Sequence, residues 1–179
     1  SLLLSSPAAA PAREHLSRRG LTDATLESFQ IGYAPDSWEA ARNYLQGKGF
    51  AERELLEAGL ASQRESGGLF DRFRNRIMIP IRDARGRAVG FGARIVNPDD
   101  LPKFLNSPQT ALFDKGGLLF GLDRAARPIR QAGEGVLVEG YMDVLAAHQA
   151  GFANVVSPMG TALTETQLRL LKKHARRIV

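Results

Sequence analysis

The sequence contains no cysteine among its 179 residues. Disulfide bonds and cysteine-based zinc sites are therefore excluded within it. It has no apolar run near the ~20 residues that cross a bilayer. No basic stretch precedes the early leucines, Leu2–Leu4, as a signal peptide would require, so the first residues indicate a cut through a helix. These absences favour a cytoplasmic protein without membrane association.

The composition is that of an ordinary globular protein of one or two compact units, with 44% hydrophobic and 24% charged residues. The net charge is only +5, but it is unevenly distributed. Between Asp71 and Phe104, eight basic residues stand against four acidic ones. Such a concentration of positive charge is compatible with a polyanionic partner.

Helical patterns fill residues 11 to about 65, with no obvious chemistry of their own. The expected helices are Ala12–Arg19 closed by Gly20, one capped by Thr22, Trp38–Gln46 and Ala51–Ala58. We expect Phe29 and Trp38 to lie in their core. A β-hairpin follows, formed by Ile77–Ile81 and Arg87–Val96. Pro80 indicates an edge or irregularity in the first strand, and Gly90 and Gly92 suggest close approach by another backbone or a ligand.

From Val136 onward, short strands alternate with helices, which predicts a parallel sheet with right-handed crossovers. The strands are Val136–Glu139, Asn154–Ser157 and one beginning at Arg177; the helices are Tyr141–Ala150 and Glu165–His174, the latter with a Thr164–Gln167 capping box. His148 is expected to pack rather than bind a ligand. Before this region, Gly116-Gly117 predicts a turn leading into a helix from about Leu118 to Arg127.

Glu139 is the sharpest candidate functional residue, because it closes a hydrophobic strand just before a helix. Ligand sites in open α/β sheets gather beyond the carboxyl ends of strands. A carboxylate there is suited to Mg²⁺, which prefers oxygen ligands. Asp143 lies in the first turn of the following helix, where the helix dipole alone would favour an acid. The alternative for both is a solvated surface carboxylate.

Basic residues provide the second set of candidates. Arg72, Arg74 and Arg76 alternate, so an extended backbone would place them on one side, where a phosphate would relieve their repulsion. The alternative is an exposed face neutralised by Asp71 and solvent. Arg94 lies inside the second hairpin strand and needs a partner. The segment with Lys103, Phe104 and Asn106 combines groups that hold phosphate, stack a base and read its edge, although an ordinary loop would also fit.

Four segments, taken together, resemble the RNA polymerase core of bacterial DnaG-type primases. They are FDRFRNRIMIPIRDARGRAVGFGARI (70–95), PKFLNSP (102–108), LLFGLDRA (118–125) and VLVEGYMDVLAAHQAGFANVVSPMGTALT (136–164). The resemblance extends from about Ala12 to Val179. It implies an α/β fold in two parts: a helical and β-hairpin N-terminal subdomain over residues 1–134, and the start of a Toprim domain over residues 135–179, a parallel sheet with flanking helices.

The resemblance also implies a function, the DNA-templated synthesis of short RNA primers by two-metal nucleotidyl transfer. Glu139 would bind the catalytic metal, Mg²⁺ or Mn²⁺, or handle protons, with Asp143 from the same motif. The basic ridge that contacts template and nucleotide phosphates would include Arg74, Arg76, Arg94 and Lys103, with Asn106 beside it. Arg72 is a further candidate for binding nucleic acid or NTP. The expected partners are single-stranded DNA, NTPs, nascent RNA and a replicative helicase.

The sequence stops inside the strand expected to deliver the family's Asp-x-Asp pair. The zinc-binding module expected upstream and the helicase-interacting domain expected downstream are also outside it. We therefore expect these 179 residues alone not to synthesise primers. A sheet ending in mid-strand would also present an unpaired edge, which favours self-association.

Three other readings share some of these features. Another Toprim enzyme, a nuclease or topoisomerase, would use Glu139 but would need a nucleophilic tyrosine or water. A primase-like domain of a helicase-primase would be followed by a P-loop ATPase. A nucleic-acid-binding module without catalytic acids would bind single strands without metal.

Overall fold

The computed structural model describes residues 1–160 and 162–179. Its helices are α1 (Leu2–Ser5), α2 (Ala10–Arg18), α3 (Asp23–Ser28), α4 (Ala40–Gly47), α5 (Glu52–Glu57), α6 (Leu122–Ala132), α7 (Tyr141–Gln149) and α8 (Glu165–Lys172), with a 3₁₀ turn at Pro7–Ala9. Its strands are β1 (Gly32–Ala34), β2 (Ala61–Gln63), β3 (Leu69–Asp71), β4 (Arg76–Arg82), β5 (Ala88–Ile95), β6 (Phe104–Asn106), β7 (Leu119–Phe120), β8 (Glu134–Leu137), β9 (Val155–Pro158) and β10 (Arg177–Ile178).

The chain forms two compact units, residues 1–80 with 90–113 and residues 81–89 with 114–179. We call them the first and second units. The expected α/β class is confirmed, while the domain boundary at residues 134/135 stays a prediction. Within residues 1–160 and 162–179, no helix combines the length and apolarity needed to cross a bilayer.

The first unit begins with short helices whose ends follow the expected capping rules. The Thr22 hydroxyl accepts a hydrogen bond from the Thr25 amide and starts α3. Gly20, with a φ of 75°, closes α2. The prediction of helix from residue 11 to about 65 is wrong in two places, because β1 and β2 interrupt it. Each is only three residues long and is stabilised by a distant partner strand, which local periodicity does not reveal.

A four-stranded sheet in the order β1-β4-β5-β6 forms the centre of the first unit. Ile77 and Ile79 of β4 are fully buried. The ladder between β1 and β4 ends at Met78, so Pro80 lies beyond it, as a proline without a backbone donor requires. At Gly90 the close approach comes from the chain itself: an added Cβ would lie 2.7 Å from the Phe113 ring.

The second unit contains a sheet in the order β10-β8-β9-β7. β8 pairs in parallel with both β9 and β10, which confirms the predicted parallel sheet, while β7 adds an antiparallel edge. The expected Thr164–Gln167 capping box at α8 is present, and Gly151, with a φ of 92°, follows the end of α7. The core contains Leu119, Leu122, Ala125, Ile129, Val156, Leu171 and Ala175.

The helix expected from about Leu118 to Arg127 is present but is shifted to Leu122–Ala132. The chain first forms β7, and α6 then continues through Pro128 to Ala132. Pro128 removes one backbone donor, but Ile129 is fully buried and extends the apolar face of the helix. Burial of that face outweighs the local preference to stop at proline.

Candidate nucleic-acid interface and carboxylates

Strand β6 is the meeting point of the predicted basic residues in the first unit. Arg94 on β5 is directly opposite Phe104 on β6 in the antiparallel ladder. The Lys103 carbonyl accepts a hydrogen bond from the Ile95 amide, and Lys103 itself is exposed. Arg72 and Arg76 reach the same strand and the residues just before it. The fold therefore gathers residues that are up to 34 positions apart in sequence.

Arg72 is tied to this strand by its own contacts. Its Nη2 donates to the Asn106 carbonyl over 3.2 Å, while its buried Nε has no partner within residues 1–160 and 162–179. Burial lowers the pKa of Arg72. An arginine held in this way orders β6, and with it the segment that carries Asn106.

Arg76 and Arg94 are buried, at 6% and 7% exposed. Arg76 Nη1 donates to the Pro102 carbonyl over 2.8 Å. Burial lowers the pKa of Arg76, an effect that the charge of Asp100 opposes. The guanidinium of Arg94 lies 4.8 Å from the centre of the Phe104 ring, a cation–π contact. Both side chains are held in place before any ligand arrives.

Arg74 belongs to a separate aromatic cluster. Its guanidinium carbon lies 3.8 Å from the centre of the Trp38 ring and 5.2 Å from that of Phe70, and it donates to the Asp71 carbonyl. Arg64 lies 5.0 Å from the same tryptophan ring. The expectation that Trp38 is core is wrong, since it is 52% exposed. Trp38 is thus a surface residue packed against two guanidiniums, a placement that apolar periodicity does not predict.

The condition for placing the three alternating arginines on one side, an extended backbone, is not met. β3 ends at Asp71, β4 begins at Arg76, and Asn75 between them has a φ of 46°. Asparagine tolerates this left-handed conformation better than most residues, and its side chain accepts a hydrogen bond from the Tyr33 hydroxyl over 3.0 Å. The bend separates the environment of Arg74 from that of Arg76.

Asp71, which under the alternative reading would neutralise the arginines, has other partners. Its carboxylate is buried and accepts hydrogen bonds from the amides of Ala41, at 2.7 Å, and Arg42, at 2.9 Å. These are among the amides that a helix leaves unpaired at its N-terminus. Asp71 therefore caps α4.

The two candidate carboxylates of the second unit lie at the carboxyl end of β8. The β8–β9 ladder continues to the Val138 amide, and Glu139 follows it, exposed. Within residues 1–160 and 162–179, Glu139 has no hydrogen bond or ion pair. Asp143 is also exposed, but its Oδ2 accepts from the Gly140 amide over 3.0 Å and caps α7.

These two acids fit part of a magnesium site. They offer the hard oxygen ligands that Mg²⁺ prefers, at a strand end where ligands bind. No group of three His, Cys, Asp or Glu side chains suited to a metal occurs in the described part of the chain. Mg²⁺ is often bound by one or two carboxylates together with waters and substrate phosphates, and that is the role these residues fit.

Two residues of this region were missed by the sequence reasoning. His15 contacts Arg94 from 79 positions away, so no local pattern could reveal it. Trp38 carried a weak signal, since it is an aromatic residue beside a loop. His148 behaves as expected, since its Nε2 hydrogen-bonds the Val155 carbonyl over 2.9 Å.

A basic, aromatic-bearing sheet followed by a βαβα unit with an acid at its first strand end defines an α/β core of Toprim type. The family model described as DNA primase catalytic core, N-terminal domain, matches residues 1–126, and a Toprim-like model matches residues 136–179. The chain belongs to the DNA primase catalytic core family.

Relatives and solved structures agree with this assignment. The chain is 49% identical over 164 residues to the DNA primase of Deinococcus radiodurans, covering 91% of this chain and 28% of that protein. It is 40% identical over 176 residues to the DNA primase of Salmonella typhimurium, covering 98% and 30%. The chain thus spans less than a third of the length of these relatives.

DNA is present in several of the matching solved structures. The RNA polymerase domain of Mycobacterium tuberculosis primase DnaG, in complex with a double-stranded DNA oligomer with a 6-nucleotide overhang, matches with a TM-score of 0.90 and 42% identity, over 95% of this chain and 53% of that one. A DnaG primase catalytic domain bound to single-stranded DNA matches with a TM-score of 0.88 and 38% identity, over 98% and 54%.

Proposed function

We propose that this chain is part of a DNA primase that synthesises short RNA primers from NTPs on a single-stranded DNA template. The observation that carries the proposal is Glu139, an exposed carboxylate at the carboxyl end of a parallel strand. The names of the relatives and the DNA bound in similar structures support it. The alternative Toprim and helicase-primase readings receive no such support.

The basic residues around β6 have the role of positioning phosphates. Arg94 and Lys103 contact the phosphates of the template or of the triphosphate, and Arg76 supports them. Arg74 and Trp38 together provide a second contact for a nucleic-acid strand. Arg72 holds β6, so that Asn106 can read a base edge. Because phosphate contacts release counterions, template binding weakens as salt rises.

The reaction is nucleotidyl transfer, in which a primer 3′-hydroxyl attacks the α-phosphate of an NTP and pyrophosphate leaves. Glu139, with Asp143 as second carboxylate, would hold Mg²⁺, or Mn²⁺ in its place. The metal would stabilise the charge that develops on the phosphate oxygens. The protein's own share is orientation, since fixed cations keep the triphosphate and template in reacting geometry. The site of action is the cytoplasmic replication fork, with the replicative helicase as partner.

The test is primer synthesis by the full-length protein carrying Glu139→Gln. We expect a loss of ~100-fold or more, because an amide keeps the size of the side chain but loses its charge. The matched control is Glu165→Gln, an exposed acid paired with Arg169 on α8, whose activity should stay within about twofold of the parent. Asp143→Asn should also lose activity because the charge is lost, but its amide oxygen can still accept from the Gly140 amide, so it should cost only about 0.5 kcal/mol of stability or less. Synthesis by Glu139→Gln equal to that of the control would remove Glu139 from the mechanism.

The 179-residue chain gives a second arm to this test. Because one or two carboxylates without substrate phosphates hold Mg²⁺ weakly, Glu139 and Asp143 should bind the ion weakly in this chain, and the chain should extend no primer. Robust metal-dependent extension by this chain alone would show that the remaining acids expected in the family are dispensable.

A further inference from the structure

The contact between His15 and Arg94 has no role in the function proposed so far. His15 is half-buried in the last turn of α2, and Arg94 is on β5. Arg94 Nε donates to His15 Nε2 over 2.9 Å. Both residues belong to the first unit.

This hydrogen bond fixes the protonation state of the histidine. Arginine stays protonated in proteins, so its Nε can only donate. Nε2 of His15 must therefore be the acceptor, which makes the ring neutral with its proton on Nδ1. A protonated imidazole has no acceptor nitrogen, and it would place a second cation against Arg94.

The remaining contacts of Arg94 leave one edge of its guanidinium for a ligand. The Phe104 ring lies 4.8 Å from its central carbon, and His15 occupies Nε. Within residues 1–160 and 162–179, no carboxylate forms an ion pair with Arg94. The two terminal amino groups are the pair that grips a phosphate in bidentate fashion.

The surroundings of His15 favour the acceptor form. Burial lowers the pKa of His15 from its ordinary 6.5, and the charges of Arg94, Arg19, Arg18 and Lys103 lower it further. These cations come from β5, from the end of α2 and from the residues before β6. At neutral pH the ring is therefore uncharged and able to accept.

We propose that His15 is a positioning residue for Arg94: by accepting its Nε–H bond, the neutral imidazole orients the guanidinium so that both terminal amino groups can bind one phosphate of a nucleic-acid strand. The proposal rests on the function proposed above. Its effect depends on the acceptor alone, since His15 makes no contact with the phosphate itself.

Four variants of the chain, His15→Phe, His15→Gln, Arg94→Ala and the double variant of His15→Phe with Arg94→Ala, test this role through the affinity for a fluorescein-labelled oligo(dT), measured by anisotropy. His15→Phe keeps a ring but removes the acceptor and should weaken binding roughly five- to tenfold. His15→Gln keeps a neutral acceptor and should stay within about twofold of the parent. In an Arg94→Ala background, His15→Phe should cause no further loss, because its target is gone. Melting temperatures of all variants identify any that fail to fold.

The outcomes separate the two proposals. If Arg94→Ala binds as tightly as the parent, the proposed role of Arg94 fails. If Arg94→Ala weakens binding and His15→Phe does not, only the role of His15 fails. An equal loss from His15→Phe in both backgrounds would show a general structural effect and would also overturn it.

Acid pH provides an independent readout. As the pH falls from 7.5 through the lowered pKa of His15, the parent should lose affinity relative to His15→Gln, because only the parent loses its acceptor by protonation. A relative gain would mean that His15 acts as an additional cation, which contradicts the proposal. Nitrogen NMR shifts should show an unprotonated Nε2 at pH 7.5, and a protonated Nε2 there would overturn the proposal without any DNA.

Discussion

The cations of the first unit and the acids of the second differ in how firmly the protein holds them. Arg72, Arg76 and Arg94 are each tied to a carbonyl or an imidazole, and two of them are almost fully buried. Glu139 is exposed and has no hydrogen bond or ion pair in the described part of the chain. Under the proposed function, the cations that bind phosphate are already held in the folded chain, whereas Glu139 would become ordered only when metal and substrate bind.

Among the substitutions that test this comparison, Asp71→Ala should have the largest effect, because it should destabilise the first unit. The buried carboxylate accepts two amide hydrogen bonds at the start of α4, and its loss leaves those donors without partners. We expect a loss of about 2–3 kcal/mol in the free energy of unfolding. Urea denaturation followed by circular dichroism measures it.

Asp23→Ala is the matched control for this substitution. Asp23 is an exposed acid in the first turn of α3, where the cap is the Thr22 side chain. Its removal should cost about 0.5 kcal/mol or less. Equal losses from the two substitutions would show that the Asp71 cap adds nothing to the stability of the unit.

A pair of basic residues sharpens the comparison further. Arg76→Ala removes a buried guanidinium and its bond to the Pro102 carbonyl, so it should reduce both stability and oligo(dT) affinity, the latter about tenfold. Lys103→Ala removes an exposed cation and should reduce affinity and the salt slope by about one counterion while leaving stability unchanged. The measurements are anisotropy titrations at several salt concentrations and urea denaturation. A destabilised Lys103→Ala variant would contradict the distinction between held and free cations.

The smallest expected effect is a pH dependence of stability. Burial lowers the pKa of His148 below its ordinary 6.5; Arg124 lowers it further, while the Val155 carbonyl and Asp123 oppose the shift. Because the folded state favours the neutral ring, the contribution of His148 is complete above pH 6.5 and is lost as the pH falls through its lowered pKa. Unfolding free energies at pH 7.5 and 5.0 should differ less in His148→Gln than in the parent. The pKa values of His15 and His174 are also lowered, so these two residues account for the pH dependence of stability that remains in His148→Gln.

The sequence predicted those parts of the structure that depend on neighbouring residues. The hairpin, the βαβα pattern and the caps at Thr22 and Thr164 follow from period and residue type within a few positions. Strands β1 and β2 could not be predicted in this way, because their stability comes from partners that are distant in sequence. Likewise, the environment of Trp38 is set by Arg74. The left-handed conformation of Asn75 interrupts the extended backbone that would have placed the three arginines on one side.

Within the candidate site, the functional residues were easier to predict than the contacts that hold their side chains in place. Glu139 was expected to close its strand, but β8 ends at Leu137 and Glu139 lies two residues beyond it. Lys103 and Asn106 lie beside the arginines because β6 pairs with β5. The capping role of Asp71 required knowing that β3 passes the start of α4, which no spacing in the sequence encodes.

The Phe113 ring fills the space over Gly90, so that packing in the protein interior leaves no room for a side chain at this position. Even one methyl group there would have to displace an aromatic side chain that is 1% exposed, or push β5 away from it. Relatives that retain a phenylalanine at the matching position would therefore be confined to glycine here, whatever nucleic acid they bind. Conservation of that glycine would then reflect packing inside the protein and not contact with a ligand.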